Sequence, residues 1–135
     1  MRTVCWFSFS TSATSGDIRF TRCPVTECPN AESDADFKAA VKAKQAAGKK
    51  VLISIGGQNG TITVVDSTSA TNFANSAWTL MQNYGFDGVD IDLENGINPT
   101  YMGQALHALA AKKGSDFVLT MAPQTIDMQS TGMAY

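Results

Sequence analysis

Residues 87–94 read Asp-Gly-Val-Asp-Ile-Asp-Leu-Glu, with carboxylates at positions 90, 92 and 94 separated by single apolar residues. Successive side chains of a strand point to opposite faces. Asp90, Asp92 and Glu94 therefore share one face, and Val89, Ile91 and Leu93 share the other. Acids two apart have backbones ~6.6 Å apart. Once water is partly excluded, charges at that range interact strongly. A proton is then retained or shared among them, and the acid in the drier position titrates higher. Glu94 comes last, at the carboxyl end of the strand, where parallel α/β folds place their active sites. An acid held protonated at the mouth of a cleft is what general-acid catalysis requires.

Two other chemistries compete for the same residues. The alternation also suits an amphipathic strand with a solvated face, and the carboxylates could hold Mg²⁺ or Ca²⁺ as in metal-dependent transferases. A calcium loop of the EF-hand type does not fit, because Gly96 falls one place too late after Asp90 and no Glu closes the loop. His107 is the only histidine, and no G-x-S-x-G nucleophile elbow exists to use it, so it reads as a surface residue. Neither a Walker loop nor G-x-G-x-x-G is present to cradle a nucleotide.

The acidic strand needs neighbours to hold it. Val51-Leu52-Ile53-Ser54-Ile55, ended by Gly56-Gly57, reads as a buried strand and a tight turn. Phe117 to Ala122 reads as another, halted by Pro123. Helices fill the intervals. One starts at Ser33, with Phe37, Ala40, Val41 and Lys44 at helical spacing and Gly48 closing it. A second, capped by Ser69, carries Phe73, Ala77, Leu80, Met81 and Tyr84 on one face and ends at Gly85. Trp78 and Tyr84 on that helix read as packing residues. A third, capped by Asn98 with Pro99 in its first turn, buries Met102, Leu106 and Leu109 and stops at Gly114. Upstream, Val4 to Phe9 reads as a strand whose Trp6 is core or an exposed aromatic platform, and Ile18 to Thr21 as a short strand or loop.

Regular β/α alternation, with a strand roughly every 30 to 36 residues, means a parallel sheet with right-handed crossovers. Two architectures satisfy it. One is an open doubly wound sheet, for which 135 residues is a natural size. The other is part of a (β/α)₈ TIM barrel, which typically needs about 250 residues.

Composition narrows the field. Apolar residues make up 44% and charged residues 16%, enough to bury a core. The net charge of −2 gives no basic surface for nucleic acid or anionic lipid. No stretch approaches the ~18 apolar residues of a membrane span. The start, MRTVCWFSFS, has too short an apolar run for an export signal. Three cysteines give an odd count. A disulfide between Cys23 and Cys28 and a set of reduced thiols are equally compatible with that spacing, and no second pair completes a metal site.

Asp87 to Glu94 resembles the signature D-G-x-D-x-D-x-E of the glycoside hydrolase family 18 chitinases. Ser54-Ile55-Gly56-Gly57 resembles that family's S-x-G-G motif on the preceding strand, and Met121-Ala122-Pro123-Gln124 resembles the end of the following one. Residues 33–127 are similar to the bacterial branch, while 1–32 match poorly. The resemblance implies that 1–135 form a partial catalytic (β/α)₈ barrel domain covering roughly strands two to five. Nothing corresponds to strands six to eight, so the chain looks like a fragment.

The resemblance also implies roles. Glu94 is the general acid. Asp92 orients the substrate's 2-acetamido group, whose oxygen attacks the anomeric carbon, so configuration is retained without an enzyme nucleophile. Asp90 shares a proton with Asp92, and Ser54 is placed to hydrogen-bond Asp90. Gly56 and Gly57 permit close backbone approach, with Gly57, Met121 and Gln124 lining the sugar site. Asp87, out of phase with the triad, belongs to the start of the strand and not to the chemistry. The implied substrate is chitin or chito-oligosaccharide, with no cofactor, no metal, no nucleic acid and no membrane. An extracellular setting is implied as well. A chain with open barrel edges would self-associate. The alternatives are a non-catalytic fragment of such an enzyme and a metal-dependent sugar transferase using Asp90 and Asp92.

Overall fold

A computed structural model describes residues 3–8, 15–20, 26–29, 32–57, 62–92 and 98–123. Strands β1 (Thr3–Ser8), β2 (Lys50–Gly56), β3 (Gly88–Asp92) and β4 (Val118–Met121) alternate with helices α1 (Asp34–Ala46), α2 (Ser67–Tyr84) and α3 (Pro99–Lys113). The strands form one parallel sheet in the order β1-β2-β3-β4. A doubly wound sheet reverses its strand order at a switch point, and this one does not. The sequential order is that of a barrel wall, so the (β/α)₈ expectation holds, as a partial barrel, and the open-sheet alternative falls.

The helices cover one face. Val51, Ile53 and Ile55 of β2 and Val89 and Ile91 of β3 join Phe37, Val41, Phe73, Ala77, Met81, Met102 and Leu109 in one buried cluster. Trp78 and Tyr84 pack against its margin, as their helical positions suggested. His107 lies exposed on α3. Deleting a fully buried ring such as Phe73 would cost about 3–5 kcal/mol.

Local signals set the helix ends. Ser33 caps α1 by accepting from the Asp36 N–H, and Asn98 caps α3, with Pro99 in the first turn. The expected cap of α2 needs correction. Asp66, not Ser69, is the N-cap: its carboxylate accepts from Ser69 N–H while Ser69 Oγ accepts from Asp66 N–H. Two unpaired amides are satisfied reciprocally, which a serine cap alone cannot do. The bond from the Ser69 amide leads the causes that hold the Asp66 carboxyl below its ordinary value. Gly85, in the left-handed region, closes the helix. Ile18 to Phe20 belong to no strand. Their segment is fastened to α2 by Ile18 N–H donating to Ser76 Oγ and by Asn72 Nδ2 donating to Ser15 O.

Candidate active site

The face opposite the helices belongs to the alternate residues of each strand. Register sets Leu52 beside Gly88, Ser54 beside Asp90 and Gly56 beside Asp92, and on the far side Gly88 beside Val118 and Asp90 beside Thr120. Asp90 and Asp92 are therefore in phase, on the side away from the buried cluster, and both are half-buried. Val89 and Ile91 between them are fully buried under the helices. Asp90 and Asp92 thus share the face of β3 opposite its helix-covered residues.

Asp90 is held from both sides. Ser54 Oγ donates to its Oδ2 at 2.8 Å, and Thr120 Oγ1 donates to its Oδ1 at 2.5 Å. Ser54 is 3% exposed, so its hydroxyl depends on this bond. The Ser54 contact is the one its phase with Gly56 suggested. Thr120 carries no motif of its own, because threonine is an ordinary strand residue. Its only sequence signal is being the polar member of an otherwise apolar strand.

Above this layer the chain leaves β2 through Gly56 and Gly57. Gly57 N–H donates to Asp92 O at 2.7 Å, carrying the β2–β3 ladder to the top of the site. Gly57 has φ +84°, which side-chain-bearing residues rarely adopt, and a Cβ there would lie 3.9 Å from Asp92 Oδ2. The glycine thus keeps the space beside the Asp92 carboxylate open.

The other expected site residues divide. Glu94 and Gln124 lie outside the described residues. Met121 pairs in register with Ile91 and is 43% exposed, in phase with the helix-covered side and out of phase with Thr120. It is not brought together with Asp90. Among the described residues no group of three or more His, Cys, Asp or Glu side chains is gathered as a metal site.

Asp87 occupies the opposite end of β3. Its Oδ2 accepts from Val51 N–H at 2.9 Å and from Gln45 Nε2 at 3.0 Å, and Lys50 Nζ lies 3.4 Å from its Oδ1. Burial pushes this carboxyl up, but the bonds from Val51 and Gln45 and the Lys50 charge more than offset that and hold it below its ordinary value. The side chain fastens α1 and β2 to the start of β3. Next to it, Gly88 lets β4 approach, since a Cβ would fall 1.7 Å from Val118 O. Cys28 is disulfide-bonded, and Cys23, the expected partner, lies outside the described residues.

Parallel strands in sequential order, with carboxylates rising along the inward face of one of them, define part of a (β/α) barrel wall with an acid row leading to its carboxyl end. The chain belongs to glycosyl hydrolase family 18, whose model matches residues 3–135. It is 53% identical to "Exochitinase 1" of Streptomyces olivaceoviridis over 91% of this chain and 23% of that protein. It is 44% identical to a "Probable class II chitinase" of Arthroderma benhamiae over 91% of this chain and 42% of that one. The crystal structure of a putative Chitinase A from Streptomyces coelicolor superposes with a TM-score of 0.89 at 56% identity, covering 98% of this chain and 45% of that one. The chain thus spans less than half the length of each of these relatives.

Proposed function

We propose that this chain carries the acid strand of a chitinase that cleaves β-1,4-linked N-acetylglucosamine polymers with retention of configuration. In this reading Glu94 protonates the glycosidic oxygen. Asp92, beside the space kept open at Gly57, orients the acetamido group, whose oxygen closes on the anomeric carbon and expels the leaving sugar. Water then opens the resulting ring. Asp90 supports Asp92 from one pleat below. The observation that carries the reading is the in-phase placement of Asp90 and Asp92 on the inward face, with Ser54 bonded to Asp90. The relatives' names support the substrate class. The same reading places the chain outside the cell, and the Cys28 disulfide supports an oxidising compartment. It also includes self-association through the sheet edges, supported by the exposure of Leu119 and Met121.

The test is hydrolysis of a chromogenic chito-oligosaccharide by the purified chain, with and without a chelator. Four described strands make half of an eight-stranded wall, so weak or no turnover is expected from this chain alone. Turnover that is insensitive to chelation and abolished by Glu94→Gln supports the proposal. A folded sample without turnover would favour a non-catalytic role. Turnover lost on chelation would favour a metal-dependent transferase.

A further inference from the structure

We infer that Thr120 is a positioning residue of the acid row, acting through Asp90. An aspartate carboxylate held by one hydrogen bond can still pivot about it, whereas donors on both oxygens fix its plane and its χ1 rotamer. Asp90 has that second donor. Ser54 on β2 and Thr120 on β4 stand at the same register level on either side of it, bonded to Oδ2 and Oδ1 at 2.8 and 2.5 Å. The clamp spans three strands and closes on the half-buried aspartate directly beneath Asp92. Thr120 is β-branched, so its own χ1 is restricted and its hydroxyl is presented with little entropy left to lose. The geometry therefore gives β4 a part in the site: it supplies the hydroxyl that keeps Asp90 in line with Asp92. The catalytic consequence of this clamp rests on the glycosidase reading, but the clamp itself does not.

The experiment measures the three-bond couplings from backbone nitrogen and carbonyl carbon to Cγ of Asp90 in the isotope-labelled chain. It compares wild type, Thr120→Val and Thr120→Ser, after circular dichroism has shown that each is folded. Wild type and Thr120→Ser are expected to give single-rotamer couplings and Thr120→Val averaged ones, because valine keeps the shape and loses the hydroxyl. Single-rotamer couplings in Thr120→Val, or averaged ones in Thr120→Ser, would overturn the clamp. In the hydrolysis assay Thr120→Val should lower kcat about tenfold with KM within about twofold, and serine should restore it. Wild-type kcat in Thr120→Val would overturn the positioning role. Absence of turnover in wild type, with the couplings as expected, counts against the glycosidase reading and leaves the clamp supported.

Discussion

Val51 and Asp87 are bonded twice: Asp87 N–H donates to Val51 O at 2.8 Å, and Val51 N–H donates to Asp87 Oδ2 at 2.9 Å. The first residue of the acidic motif thus uses its carboxylate as a peptide-like acceptor that starts the β2–β3 ladder. Gln45 and Lys50 complete its shell. Because its folded titration point is depressed, Asp87 contributes stability that is fully present above the ordinary value of 3.8. That contribution is lost as pH falls through the lower, folded value. Asp87→Asn should cost about 1–3 kcal/mol at neutral pH. Thermal melts across the acid range should show the gap between wild type and variant closing below pH 3.8. A gap that stays constant to pH 2 would remove the carboxylate's charge from the account.

Ser54→Ala leaves Oδ2 of Asp90 without its donor in a half-buried setting. A loss of about 1–3 kcal/mol is expected, read as a lower urea midpoint at unchanged slope. Turnover, where present, should fall as well. An unchanged midpoint would mean that water replaces the hydroxyl.

Two glycines make opposite predictions. A methyl at Gly88 would sit 1.7 Å from the Val118 carbonyl oxygen, so Gly88→Ala must drive β4 off the sheet and cost about 4 kcal/mol or more. A methyl at Gly103, inside α3, meets nothing within 4 Å. Gly103→Ala should therefore stabilise by about 0.5–1 kcal/mol through helix propensity. Calorimetric melts of the two variants should bracket wild type. Equal effects would contradict the close approach of β3 and β4.

Leu119 and Met121 are 39% and 43% exposed. Leu119 borders a shallow apolar groove with Leu106, His107, Ala110 and Phe117. Concentration-dependent association is expected in sedimentation velocity. The double variant Leu119→Lys with Met121→Lys should suppress it by placing charge on an open edge. A monomer at all concentrations would remove self-association from the proposal.

Much of this was legible in the residues. A short β-branched run ended by glycine gave β2, the alternation of acids with apolar residues gave β3, and helical spacing gave the buried faces of all three helices. The in-phase acids on β3 marked the candidate site, since a strand covered on both sides has little reason to carry carboxylates. Legibility failed where the partner lay elsewhere in the chain. Ser69 looked like a cap because serine caps helices, but a reciprocal bond with Asp66 took precedence. Nor does any local pattern say that Met121 stands beside Ile91, which register between β3 and β4 sets.

The sequence by itself determined which residues alternate, where most helix ends fall, and that Asp90 and Asp92 share a phase, because those properties are written in local periodicity. Only the tertiary structure decided that the strands run in unbroken order and that Thr120 meets Asp90 across β3 and β4. It also decided that Asp87 ties β2 to β3. Strand order and register are fixed by hydrogen bonds between segments about thirty residues apart, and no local pattern specifies which residue of one segment will face which residue of another.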